Sequence, residues 1–225
     1  MKMHSHKQTS RNLLNFVFVL LTVVGSSAIN FAASGDLDTT FGTGGNVLTE
    51  VTPRDDNATR IRFQPDGKIV ILGYAADGNL DLTDSYISRY NANGTLDTSF
   101  GTNGIVDLPL NTSDEKLNDF IIQPNGKLIV VGDHYGSFPA VFSVFRYNAD
   151  GTRDITFGTN GVIPTQFPAG SDFASAEHVV LQPDGKIVVL GSTILNSQVD
   201  KVALARYNAD GTLDTSFGTN GTIIT

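Results

Sequence analysis

The stretch RYNADGTLDTSFGTNG, residues 206–221, decides the architecture because the chain repeats it. RYNANGTLDTSFGTNG occupies 89–104, RYNADGTRDITFGTNG occupies 146–161, and a shortened copy, GDLDTTFGTGG, lies at 35–45. The boundary element FGT(G/N)G starts at Phe41, Phe100, Phe157 and Phe217, with spacings of 59, 57 and 60 residues. Between boundaries comes Gln-Pro-(Asp/Asn)-Gly-Lys, starting at Gln64, Gln123 and Gln182, with spacings of 59 and 59. The two elements interleave in register. The chain is therefore built on one repeat of about sixty residues, with copies over approximately 46–104, 105–161 and 162–221.

Each copy reads as four short strands. In the second, the apolar run Asp119 to Ile122 meets the turn Gln-Pro-Asn-Gly and returns as Lys127 to Val131. Pro fixes one φ and Asn-Gly accepts the positive φ of a tight hairpin. Ala140 to Tyr147 alternates as a third strand. After Asn-Ala-Asp-Gly, the segment Arg153 to Gly158 predicts one helical turn with Asp154 as its N-cap and Gly158 as a left-handed exit. Val162 to Phe167 is the fourth strand. Tight turns, β-branched runs and the absence of any long helical period predict an all-β fold. Four strands per sixty-residue repeat suit a β-propeller blade, whereas the coils of a β-solenoid are far shorter. The expectation is a β-propeller-like array of about three four-stranded blades, incomplete or closed by oligomerisation.

LDTSFGTNG followed by a strand and then QPDGK(I/L)(V/I)V resembles the delta-60 repeat, a bacterial β-propeller repeat, over essentially all of 35–225. The resemblance implies a propeller fold and an exported protein. It carries no catalytic residues onto this chain.

Residues 1–28 predict a secretory signal peptide: Lys2, Lys7 and Arg11 precede the predominantly apolar stretch Leu13 to Val24, and Gly25-Ser26-Ser27-Ala28 offers a cleavage site after Ala28. The stretch is short for a membrane span, and an uncleaved anchor is the competing reading. Residues 29–225 are then a secreted or periplasmic propeller domain without a membrane span. Removing Lys2, Lys7 and Arg11 takes the 15 Lys and Arg to 12 against 23 Asp and Glu, a net charge of −11. Such a surface repels phosphate backbones, which disfavours nucleic acid as a partner. With no Cys, neither a disulfide staple nor a thiol nucleophile exists.

The repeated residues read as structural. Phe41, Phe100, Phe157 and Phe217 are expected as core plugs. Arg89, Arg146 and Arg206 stand eight residues before Asp97, Asp154 and Asp214, as an ion pair across the turn in every blade. The same turn has the spacing of a calcium loop, with Asn208 third, Asp210 fifth, Gly211 sixth and Asp214 ninth. Its first position is Arg206, whose guanidinium cannot coordinate a cation.

In an up-and-down blade the repeated turns share one end, and the opposite end collects segments that differ between blades: 52–60, 74–85, 111–119, 133–140, 168–177 and 192–201. These carry 12 Asp and Glu against 4 Lys and Arg. Binding residues gather on such loops, so this acidic end is the expected face for a protein or glycan ligand. Its densest cluster, AADGNLDLTDSY at 75–86, offers Asp77, Asn79, Asp81 and Asp84 as hard oxygen ligands for Ca2+; a solvated acidic loop is the competing reading. Enzymatic chemistry is thin. After cleavage only His134 and His178 remain. His178 is expected to be packed at a strand start, and His134 with Asp133 and nearby acids would serve a small propeller hydrolase or lyase.

Four boundary elements enclose three hairpins, so Asn46 to Val51 is expected as an extra leading strand. Three blades fall short of the usual four. The sequence therefore predicts a homodimer that closes a six-bladed ring, with truncation of a longer propeller as the rival.

Overall fold

A three-residue reversal sets the shape of each hairpin. At Gln-Pro-Asp-Gly-Lys, Gln64 N donates to Lys68 O (2.8 Å) and Gly67 N donates to Gln64 O (2.9 Å). Gly67 takes φ of 83°, a left-handed conformation that suits glycine. Gln123 and Gln182 open identical reversals.

The computed structural model describes residues 35–51, 55–76, 83–108, 115–134, 141–167, 171–195 and 199–225. Leu37–Thr225 is one compact unit. Among the described residues, twelve strands form three antiparallel meanders. The first blade holds β1 (Asp55–Phe63), β2 (Ile69–Ala76), β3 (Thr83–Tyr90) and β4 (Ile105–Asp107). The second holds β5 (Glu115–Ile122), β6 (Leu128–His134), β7 (Val141–Tyr147) and β8 (Val162–Thr165). The third holds β9 (Ser171–Leu181), β10 (Ile187–Leu195), β11 (Val199–Tyr207) and β12 (Thr222–Ile224). The fold is thus all-β, an unclosed array of three propeller blades. Among the described residues no helix is long and apolar enough to cross a membrane.

A bulge recurs at one repeat position in each blade's first strand, at Thr59, Asn118 and Glu177. The extra residue bends the strand and re-aims its neighbours. Asn118 Nδ2 consequently reaches Ala176 O on the next blade (2.8 Å).

The core lies between blades. Val70, Leu72, Ile87 and Phe100 of blade 1 pack on Phe120, Leu128, Val130 and Phe145 of blade 2. Ile129, Val131, Phe142 and Val144 pack on Val179, Ile187, Val189 and Tyr207 of blade 3. A strand of the middle blade therefore buries both faces, which explains the apolar run LIVV at 128–131 and VFSVF at 141–145, broken only by buried Ser143.

Two local expectations need correction. Asn46 to Val51 is not a strand: Asn46 only closes its own turn on Thr43. Strands β4, β8 and β12 form because each lies against the third strand of its blade; no such strand stands beside 46–51 among the described residues. At 154–157 the chain makes a turn and not a helix. The capping logic still holds, since Asp154 Oδ1 accepts from Thr156 N (3.1 Å) and Gly158 exits at φ of 57°.

Candidate functional site

The most conspicuous polar constellation is repeated in all three blades. Arg89 Nε, Arg146 Nε and Arg206 Nε lie 2.7, 2.6 and 2.8 Å from Oδ2 of Asp97, Asp154 and Asp214. The same oxygens are approached by Lys68, Lys127 and Lys186 Nζ at 2.7, 2.7 and 2.8 Å. Each guanidinium also stacks on the boundary phenylalanine, with its carbon 4.4, 4.3 and 4.5 Å from the ring centroids of Phe100, Phe157 and Phe217. In the first two blades it reaches further: Arg89 Nη1 donates to Ala149 O (2.6 Å) and Arg146 Nη1 to Ala209 O (3.1 Å), both on the next blade. The clasp ties a hairpin, a boundary turn and the following blade together, with no capacity left for a cation. This agrees with the reading of the turn as an ion pair.

Burial opposes ionisation of Asp97 and Asp154, but hydrogen bonds from Lys68 and Ser99, or from Lys127 and Thr156, together with the neighbouring arginine, outweigh it. Lys186 and then Ser216 do the same for Asp214. All three carboxyls are held well below the usual range. A carboxyl whose folded pKa lies below its unfolded value, about 3.9, stabilises the fold above that value and loses the contribution as the pH falls toward the folded one. The expected result is a level melting temperature near neutrality and a progressive fall below about pH 5. Asp154→Asn should flatten that acid limb; a limb of unchanged steepness would contradict the assignment.

The first strands of successive blades meet, and there the repeat position of Arg60, Asp119 and His178 is polar but not repeated. Arg62 Nη2 donates to Asp119 Oδ1 (2.8 Å), Arg60 Nε lies 3.5 Å from it, and Val179 N donates to Asp119 Oδ2 (3.2 Å). Asp119 is buried and bridges all three blades. His178 does not pack at a strand start as expected. It stands in mid-strand, half exposed, with Nδ1 3.7 Å from Asp119 Oδ2.

Asp133 is also buried, accepting from Ser175 Oγ (3.0 Å) and Ala176 N (3.1 Å) across the blade boundary. Two of the twelve acids assigned to the variable end, Asp119 and Asp133, are thus internal fastenings. His134 ends β6, paired through its backbone with Val141; its side chain lies outside the described residues. So do Asp77, Asn79 and Asp81, while Asp84 is described only as a backbone partner of Ala75. Among the described residues no three His, Asp or Glu side chains converge as a metal site.

The lysines of the clasp escape sequence reasoning. Their signal was the recurrence of Lys at the end of every Gln-Pro hairpin. Asp119 left no comparable trace, because its position changes chemistry in each blade.

No curated protein and no solved structure matches the chain. The family described as a domain of unknown function (DUF5122) beta-propeller matches residues 64–100, 123–157 and 182–217, one match per blade from the Gln-Pro hairpin to the boundary phenylalanine. These three matches support a propeller-type domain of unknown function, with one match on each of the three blades in sequence order.

Proposed function

We propose that the protein is an exported, non-catalytic propeller module that binds a protein or glycan at the end of the blades where the loops differ. The observation that carries this reading is the division of labour between the two ends. At one end the repeated charges of each blade close on one another in the Lys–Arg–Asp clasps. At the other end β2, β6 and β10 stop at Ala76, His134 and Leu195, and the segments that follow them in the chain, 77–82, 135–140 and 196–198, like 109–114 and 168–170 between blades, share no sequence repeat. A rigid scaffold with one invariant and one variable end suits recognition. Asp133, next to His134 in the sequence, is engaged by Ser175 and Ala176 of blade 3, which supports the non-catalytic reading over the hydrolase one.

A glycan array probed with the chain from Ile29 onward, and with a variant whose 77–82 loop is replaced by Gly and Ser, tests the reading. Binding by the first and its loss in the second, at equal melting temperature, is the expected result. Equal binding by both would move the ligand elsewhere.

Within that end, Asp77, Asn79, Asp81 and Asp84 supply oxygen ligands suited to calcium. Millimolar calcium chloride should raise the melting temperature by mass action, about 2.7 kcal/mol of stabilisation at a hundredfold excess over Kd. Asp81→Ala should abolish the rise. A melting curve indifferent to calcium in the parent chain removes the cation from the function.

A further inference from the structure

The chain contains three versions of one joint. In each, the glycine of an Asn-Ala-(Asp/Asn)-Gly turn lies against the phenylalanine of the preceding boundary turn: Gly94 on Phe41, Gly151 on Phe100, Gly211 on Phe157. Val47, Val106 and Ile163 fill the same corner. Gly42 N donates to Asn93 O and Gly101 N to Asp150 O, both at 2.8 Å.

The first of these joints differs in origin, because Phe41 and Val47 belong to a boundary turn with no blade of its own among the described residues. Its internal bonds are nevertheless those of the others. Phe41 N donates to Asp38 O (3.0 Å) and Thr43 N to Asn46 O (2.7 Å), as Phe100 N does to Asp97 O (3.0 Å) and Thr102 N to Ile105 O (2.7 Å). Residues 37–48 thus occupy the face of blade 1 as the boundary of a preceding blade would. Their cover is partial. A cleft of about 350 Å³ remains between Val47 and Leu48 on one side and Ile61, Ile71 and Tyr86 on the other. Leu48 and Ile61 stay exposed.

Blade 3 presents the opposite half of a fourth joint. Val188, Leu190, Val202 and Leu204 hold the repeat positions of Ile129, Val131, Phe142 and Val144, all fully buried beneath the next blade. Here Leu190 is 37% and Val202 49% exposed. The Arg206 side chain is 21% exposed, against 8% for Arg89 and 13% for Arg146. Among the described residues no carbonyl meets its Nη1. Apolar residues at all four positions belong to a face that the chain elsewhere covers with a blade.

We infer that blade 3 docks on blade 1 of a second copy of this chain through this same joint, and that residues 37–48 compete for the seat. Phe217, Gly218 and Ile223 of one copy take the places that Phe41, Gly42 and Val47 hold against Asn93 and Gly94 of the other. Arg206 then gains the carbonyl of Ala92, the counterpart of Ala149 and Ala209. Both halves of the joint exist in this chain, and the corner that 37–48 makes on Gly94 repeats those at Gly151 and Gly211, which argues for a second copy as the occupant. A head-to-tail contact made twice gives a closed pair of six blades with neither face left open. The resident segment acts at an effective concentration on the order of millimolar, so it keeps the complete chain apart at micromolar concentration.

Light scattering over a concentration series compares the chain from Ile29 to Thr225 with a variant lacking residues 37–48. The variant should assemble at a concentration lower by about tenfold or more, into a species of twice the chain mass. Val202→Asp added to it should restore the single-chain mass. Should the deletion fail to give a cooperative melt, Phe41→Asp replaces it, since that change unseats the segment and leaves every blade intact. A folded variant of single-chain mass overturns the inference, as does association that ignores Val202→Asp. Open-ended polymers overturn the closed pair.

Discussion

Replacing Gly151 by valine is expected to lower the stability of the fold by about 3–5 kcal/mol and its melting temperature by about 10 °C. Gly151 ends the Asn-Ala-Asp-Gly turn of blade 2 at φ of 87°, where the turn meets blade 1. An added Cβ would stand 2.6 Å from Val106 Cγ2 and 3.0 Å from both Gly101 N and Phe100 Cε2. These neighbours have little room to yield. Gly101 N is fixed by its bond to Asp150 O, and Phe100 lies between the Arg89 guanidinium and the core. The valine can enter only by parting blades 1 and 2, and its β-branch adds the strain of a left-handed backbone. Gly67 provides the control. Its φ of 83° is nearly the same, yet a Cβ there meets nothing closer than Ala92 Cβ at 3.4 Å. Gly67→Val therefore costs only the left-handed penalty, about 1–2 kcal/mol. Denaturant unfolding of both variants separates conformation from contact: equal losses would mean that the close approach at Gly151 contributes nothing.

The contrast between these two glycines also marks what a sequence can disclose. Both recur in every repeat, and recurrence was enough to place the blades, the turns, and the arginine and aspartate that sit only eight residues apart. The same recurrence explains the alternation in FGT(G/N)G: Gly44 has φ of 62°, and Asn103, Asn160 and Asn220 have φ of 51° to 54°, the conformation asparagine tolerates best after glycine. Pairings between repeats were harder to read. Lys127 reaches Asp154 across 27 residues because a hairpin and a strand fold back between them. Asp119 and Asp133 resembled loop acids because the first and second strands extend past the repeated core of each blade. Their burial is decided by the neighbouring blade, 42 to 60 residues away. The candidate calcium ligands were legible only as composition, since 77–82 has no counterpart in the other blades against which a pattern could emerge.

Removing the Asp154 carboxylate should be among the most damaging changes to a charged residue, costing about 3 kcal/mol or more in Asp154→Ala. One oxygen of this buried acid holds Lys127 at 2.7 Å and Arg146 at 2.6 Å, and the other accepts from Thr156 N and Oγ1. Alanine leaves two cations facing each other in a poorly solvated corner, so the loss exceeds that of a surface pair, about 0–1 kcal/mol. It also frees Arg146, whose stacking on Phe157 and bond to Ala209 O fasten blade 2 to blade 3. Asp97→Ala should cost a similar amount, because Arg89 makes the corresponding bond to Ala149 O. Asp214→Ala should cost less: Arg206 reaches no following blade within the described chain, and its clasp is more exposed. A double-mutant cycle of Asp154→Ala with Arg146→Met makes the test sharper. If the clasp acts as a unit, the second change adds little once the first is made, leaving a coupling of about 1–3 kcal/mol. Strictly additive losses, or an Asp214→Ala as damaging as Asp154→Ala, would show that each pair stabilises only its own turn and adds nothing to the joining of the blades.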